Sequence, residues 1–460
     1  MQKKDIELLQ SLVPDLGEVP MSSAYWIERA ERSVAVSTQG REVYPVVDHT
    51  RGHGVWQYDL EGNEYLDVTS GVAVRALGIR PDGMREFEER ITDVVEELPG
   101  QDFDNIPQVL LAERLNSIAP GDFAKQTFFT TSGARAIETA IKAAIDQTGR
   151  QRFVAFRPAF HGRTGYALAL TASKAIHRAG FPQSLAVVRA PYANPYRTPT
   201  GSTHEDAAEY ALGVLRDAIE NEGTDIAAIV VESISGEGGI IVPPPAFLQG
   251  LRSMADEYGA LLIADEIQSG LGRSGKWWAI EHAGVVPDMI TSAKALGGGY
   301  PLGATIGRSP MFKEESRHSE TFSAEPRLAL LSLFVLRAIE DRGLIQNARD
   351  VGAKMMNALR ERIGDNPYVG DIRGLGFMQG VEFVSDRRMK TPDPDMRDRV
   401  INNAVNRQRL WILSAGNSTI RFLPALITTE EEAMEAVNRF VRAVNEETGV
   451  LGRSPSVAAH

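Results

Sequence analysis

Cysteine is absent from all 460 residues, which excludes disulfides, thiolate metal sites and a cysteine nucleophile together. Long apolar runs are missing too. The opening Met1-Gln-Lys-Lys-Asp-Ile-Glu-Leu-Leu-Gln10 has no stretch of signal-peptide length and no segment approaches a membrane span, so no membrane partner is expected and the cytoplasm is the expected location. Basic residues are the minority, 49 Lys and Arg against 61 Asp and Glu. The resulting formal charge of -12 argues against nucleic acid as a partner, while leaving room for local basic pockets that hold small anions. No G-x-S-x-G elbow exposes a serine nucleophile, no metal centre is expected, and there is no internal repeat or low-complexity tract.

What is present reads as an ordinary globular protein, 43% hydrophobic and 24% charged. Its length exceeds the roughly 250 to 300 residues at which a single core stops growing, so two joined domains are expected. Residues 1–40 read as an extension, 41–80 as the N-terminal part of a small domain, 81–345 as a large domain and 346–460 as the C-terminal part of the small one. Alternation around Glu61-Gly62-Asn63 predicts a hairpin in the first part. Between about 105 and 310, helical patterns alternate with the apolar runs 126–129, 153–156, 185–188, 227–231, 261–264 and 289–290. That alternation predicts an α/β fold of βαβ units with a mostly parallel sheet, and functional residues at the strand ends. A helical stretch follows near 328–360, a final helix opens with Thr428-Thr-Glu-Glu-Glu432, and the tail 452–460 is expected to fray.

Lys294 is out of place in this pattern. It follows the short apolar strand Met289-Ile290 and precedes Gly297-Gly-Gly299, so an ammonium sits at the end of a buried strand. That is costly unless the amine is paired or becomes neutral by condensing with an aldehyde. Leu261-Leu-Ile-Ala264 delivers Asp265 to a comparable place. Asp265 reads either as a turn residue or as a carboxylate set against a basic ring nitrogen; Gln268 reads either as a surface amide or as a partner for a ring oxygen. The strand, turn and helix of Phe128-Phe-Thr-Thr-Ser-Gly-Ala134 offers Ser132, Gly133 and Ala134 as an anion cradle or as a plain helix cap. Phe160 and His161 suit stacking on a flat ring or ordinary core packing, and Arg163 suits a carboxylate clamp or a solvated ion pair. Gly270-Leu-Gly-Arg-Ser-Gly-Lys276 matches two nucleotide-loop patterns, but Trp277 stands where a magnesium-binding Ser or Thr is needed, so it reads as a glycine-rich loop.

Taken together, these segments resemble the class III, pyridoxal-phosphate-dependent aminotransferases, in particular the 4-aminobutyrate group, across residues 50–430. The resemblance implies a type I pyridoxal-phosphate fold, aspartate aminotransferase-like, working as a homodimer or dimer of dimers on a small amino donor and a keto-acid acceptor. It implies Lys294 as the Schiff-base lysine, Asp265 and Gln268 as partners of ring nitrogen and ring oxygen, Ser132-Gly133-Ala134 as the phosphate turn and Phe160-His161 as the ring-stacking segment. Thr321 is implied to reach the phosphate of a neighbouring subunit. For substrate it implies Val72 in the pocket wall, Arg163 on the distal carboxylate, and a switchable ion pair of Glu232 with Arg421. An amino-acid racemase or an ornithine-type aminotransferase would use the same cofactor residues. The chain departs from the family at Arg75–Pro81, at Arg135 and at Glu325.

Overall fold

The computed structural model describes residues 3–13, 19–38, 40–96, 103–199, 203–323 and 325–450. The tail 452–460 and parts of the extension 1–40 lie outside the described residues. Strands β1 (Trp56–Tyr58) and β2 (Glu64–Asp67) form the expected antiparallel hairpin, with Gly62 of its turn at φ 88°. Seven strands then build one large sheet: β3 (Lys125–Thr130), β4 (Arg152–Arg157), β5 (Ala186–Pro191), β6 (Ile226–Glu232), β7 (Leu261–Asp265), β8 (Met289–Ser292) and β9 (Gly303–Arg308). Their order is β3-β9-β8-β7-β6-β4-β5, with β9 antiparallel to both neighbours and every other pairing parallel.

The central strands explain why the sheet forms. Ile226-Ala-Ala-Ile-Val-Val231 is buried on both faces, and its neighbours Leu262-Ile-Ala264 are equally enclosed. Continuous apolar runs of this kind suit a parallel sheet covered by helices, and each fully buried Val, Ile or Leu contributes roughly 1.5 to 3 kcal/mol. Five of the six predicted runs fall within observed strands, and the sixth, 185–188, starts one residue before β5. β9 was not expected from sequence, because Gly303-Ala-Thr-Ile-Gly-Arg308 follows three glycines and carries two of its own. The helical stretch near 328–360 is two helices, Pro326–Asp341 and Leu344–Ile363, broken at Gly343 with φ 63°.

After them come β10 (Val369–Leu375), β11 (Met378–Asp386), β12 (Thr391–Pro392), β13 (Leu410–Trp411), β14 (Leu413–Ala415) and β15 (Thr419–Phe422). β10-β11-β15-β14 form an antiparallel sheet, while β13 joins the N-terminal hairpin by pairing parallel to β2. The last helix, Glu430–Thr448, is capped by Thr429, whose hydroxyl accepts from the Glu432 N–H while the Glu432 carboxylate accepts from the Thr429 N–H.

The glycine-rich loop 270–276 turns inward, toward the C-terminal segments. Arg273 is buried and donates to the carbonyl oxygens of Phe377 and Pro424, and to Ser70 Oγ at 3.4 Å. Lys276 Nζ donates to Glu281 O, 3.1 Å away in the turn that follows the loop. The loop is therefore a clamp between distant segments, and its cations are committed to protein carbonyls. Arg273→Ala would remove the guanidinium donor from the buried Phe377 and Pro424 carbonyls and should lower stability by on the order of 3 kcal/mol. Denaturant unfolding checks this; an unchanged midpoint would show that the clamp carries no stability.

Candidate active site

Every parallel strand of the large sheet ends at the same edge, and the polar residues gather there. Glu232 ends β6 and Asp265 ends β7, directly opposite one another in register; β8 leads to Lys294, β4 to Phe160 and His161, and β3 to Ser132. Between them lies a cavity of about 430 Å³ lined by Ser132, Gly133, Ala134, Phe160, His161, Glu232, Glu237, Asp265, Ile267, Gln268 and Lys294 among others. Glu237 and Ile267 had not been singled out from sequence. The only hint of Glu237 was its place in the Gly236-Glu-Gly-Gly239 turn.

Lys294 enters on a bend. Ala293 leaves β8 in an extended conformation and Lys294 then takes φ 44°, a left-handed value that a non-glycine residue adopts only when its surroundings enforce it. Among the described residues its amine makes no hydrogen bond or ion pair. Burial lowers its pKa most, the Arg421 charge lowers it further, and Asp265, Glu237 and Glu232 oppose; the outcome is about 8 instead of 10.5. Such an amine is neutral far more often than an ordinary lysine.

Asp265 is held from three sides. Its Oδ2 accepts from His161 Nδ1 at 2.7 Å, and its Oδ1 accepts from Ile267 N at 3.1 Å and Thr291 Oγ1 at 3.4 Å. The Asp265 contact puts the hydrogen of His161 on Nδ1, and Nε2 is buried without a partner. Gly162 makes this loop possible: at φ 141° it lies so close to the helix Gly133–Thr148 that a Cβ would fall 2.8 Å from Ala134 Cβ.

At the start of that helix, Ser132 Oγ accepts from Arg135 N, while the first-turn N–H groups of Gly133 and Ala134 have no partner within the helix. Gln268 Oε1 is buried and unpartnered close by. Beside the turn, the Glu320 carboxylate accepts from Thr131 N at 3.1 Å and from Thr131 Oγ1 at 2.6 Å, and Thr321 next to it is exposed.

The expected ion pair of Glu232 with Arg421 is not formed. Both Glu232 oxygens accept backbone N–H groups, from Phe160 and Gly236, each at 2.7 Å, and burial pushes its pKa up to about 7. Arg421 Nη1 instead donates to Glu237 Oε2 at 2.9 Å. The turn decides between the two carboxylates: Glu232 is the last residue of β6 and points back under Phe160, whereas Glu237 lies five residues on, with its carbonyl bonded to Gly416 N beside β15. Val72 also differs from expectation. At φ 64° it packs half-buried against the apolar cluster that includes Ile234, Ile240 and Leu423, and Val74 of the same turn lines the cavity. Arg163 is exposed and is not among the residues that line the cavity; it lies 5.7 Å from the ring centre of the cavity residue Phe160 and 3.4 Å from His177 Nε2. No cluster of three metal-binding side chains occurs among the described residues.

Residues 37–444 match the family model described as aminotransferase class-III. The chain belongs to that family. It is 36% identical to the 4-aminobutyrate aminotransferase GabT of Escherichia coli over 84% of this chain and 89% of the relative. It is 32% identical to the 5-aminovalerate aminotransferase DavT of Pseudomonas aeruginosa over 85% and 92% respectively. Its structure matches an (S)-enantioselective omega-transaminase from Thermomicrobium roseum with a TM-score of 0.86 at 27% identity, covering 94% of this chain and all of that one. Class III aminotransferases depend on pyridoxal phosphate, and the fold is the type I fold of such enzymes. The cavity fits the cofactor: it offers an amine without a protein partner, a carboxylate fixed by His161, a free amide oxygen and a helix start with open N–H groups.

In the cofactor-free aminotransferase, Lys294 should react with an amine-acylating reagent on a pH profile centred near 8. Arg421→Ala removes a neighbouring cation, favours the protonated amine and should move that profile to higher pH. Mass spectrometry of the Lys294 peptide measures both; a profile at the ordinary lysine position would contradict this electrostatic account.

Proposed function

We propose that this chain is an ω-amino-acid transaminase, transferring the amino group of a donor such as 4-aminobutyrate or 5-aminovalerate to a keto acid such as 2-oxoglutarate by a two-step, ping-pong cycle. The observation that carries this reading is the Glu237–Arg421 pair, whose Glu237 lines the Lys294 cavity. It is held by one bond of 2.9 Å, and Arg421 Nε is buried without a partner. An arginine held so loosely can be neutralised by Glu237 while a donor with one carboxylate is bound, and freed for the second carboxylate of the acceptor. The relatives named for 4-aminobutyrate and 5-aminovalerate support the same substrate class.

Pyridoxal phosphate, when bound, supplies an aldehyde that takes up the amino group and a ring that draws electron density from the carbon losing its proton. Lys294 Nζ would hold the aldehyde carbon at rest and, once displaced, carry a proton between substrate and cofactor carbons as base and then acid. Asp265, fixed by His161, would keep the ring nitrogen protonated. Gln268 would face the ring oxygen, Phe160 and Ile267 would enclose the ring, and Ser132, Gly133 and Ala134 would bind the phosphate. Arg163 would hold the distal carboxylate of donor and acceptor alike.

A dimer completes this reading. Thr321 is exposed and would serve the phosphate of a second copy, and the helix Ile106–Ile118 leaves Ile106, Val109 and Leu110 exposed at helical spacing, near the exposed Phe103. Such an apolar stripe suits a subunit interface.

Following each half-reaction separately tests the assignment. Arg421→Ala should lower kcat/KM for 2-oxoglutarate about 100-fold or more while changing the 4-aminobutyrate half-reaction far less. Glu237→Gln should do the reverse, weakening the donor and sparing the acceptor. Equal losses in both halves would reject the switch, and turnover of an amino acid without any keto acid would favour an isomerase.

A further inference from the structure

The Glu237 carboxylate has a second cation. Lys174 Nζ lies 3.4 Å from Glu237 Oε1, on the oxygen opposite the one that Arg421 takes. The three side chains grade from inside to outside, 8% exposed for Arg421, 20% for Glu237 and 39% for Lys174. Burial alone would raise the Glu237 pKa, but the Arg421 and Lys174 charges outweigh it and hold the carboxyl below its ordinary range. A carboxylate this enclosed cannot cheaply be left without any paired cation, because a buried charge without a partner is costly.

We propose that Lys174 is a positioning residue that retains the Glu237 carboxylate when Arg421 turns to the acceptor, and so sets how readily the pair opens. This rests on the reading of Arg421 as the site for the acceptor's second carboxylate. The geometry gives Lys174 the means. Glu237 is anchored through its backbone by the Gly416 N–H bond of 2.8 Å, so its side chain can shift toward Lys174 without moving the turn. The Lys174 backbone is extended and its side chain half-exposed, which leaves the ammonium room to follow. Its segment also reaches the other arginine. Ser173 Oγ is 3.2 Å from His177 Nδ1, and His177 Nε2 is 3.4 Å from Arg163 Nη2. Residues 173–177 therefore touch both groups that would bind carboxylates, Arg163 through His177 and Arg421 through Lys174 and Glu237. Removing the Lys174 charge leaves Arg421 as the one ion-pair partner of Glu237 among the described residues, with the Lys294 charge a weaker influence, which stabilises the closed pair and penalises only the dicarboxylate that must open it.

Half-reactions of the holoenzyme test this with Lys174→Met, Lys174→Arg, Glu237→Gln and the double variant. Lys174→Met should lower kcat/KM for 2-oxoglutarate about 10- to 100-fold while the 4-aminobutyrate half-reaction, which also reports correct folding, changes less than about threefold. Lys174→Arg should restore most of the loss. In the Glu237→Gln background, Lys174→Met should have no further effect, since there is no carboxylate left to retain. Equal losses in both half-reactions, or a loss that persists in the Glu237→Gln background, would overturn the proposal and make Lys174 a structural or direct substrate contact. Arg421→Ala run alongside separates the two levels: selective acceptor loss there, without it in Lys174→Met, overturns this inference alone, whereas unselective loss in Arg421→Ala overturns the reading beneath it.

Discussion

A sheet whose central strands are apolar on both faces can place charge only where those strands stop. In this chain β6, β7 and β8 lie side by side and run the same way, so Glu232, Asp265 and Lys294 come out of the core at one edge. Their proximity is a consequence of register, with Glu232 opposite Asp265 and Asp265 opposite Thr291, three residues before the lysine. The rest of the site is arranged around the resulting electrostatic problem.

The charges are divided by what fixes them. Asp265 is tied to His161 and to the peptide N–H of Ile267, and Glu232 to the N–H groups of Phe160 and Gly236, so both are rigid. Lys294 is tied to nothing among the described residues, and Arg421 only by one bond to Glu237. In the proposed cycle a bound cofactor would lean on the rigid Asp265, and the loosely held Lys294 and Arg421 would be the groups that move. Left-handed backbone at non-glycine residues occurs at Lys294 and in the run Ser70 to Ala73, and also at Arg80, Ile240, Leu271, Ser316, Lys390 and Arg409.

Much of this was legible in the sequence because period and position carried it. Apolar runs ending in Asp265 and before Lys294 could only be buried strands with polar ends, and the small-residue turn at Ser132 could only open a helix. What the sequence left ambiguous was direction after a strand ends. Glu232 and Glu237 are five residues apart in one motif, and the turn between them, closed by mutual backbone bonds of Ser235 and Ile241, decides which reaches Arg421. Val72 in the pocket wall is what the family resemblance implies; four successive positive φ values, from Ser70 to Ala73, set it against an apolar cluster and leave Val74 facing the cavity. β9 was missed because glycine hides strand propensity that only cross-strand pairing with β3 and β8 reveals.

The central claim is that Lys294 is where pyridoxal phosphate attaches and where the proton is carried. Borohydride reduction of the purified holoenzyme, followed by peptide mapping, tests it most directly. The account predicts the reduced cofactor on the peptide containing Lys294 and nowhere else, and neither attachment nor transamination in Lys294→Ala. Cofactor fixed to a different lysine, or full turnover without Lys294, would contradict it.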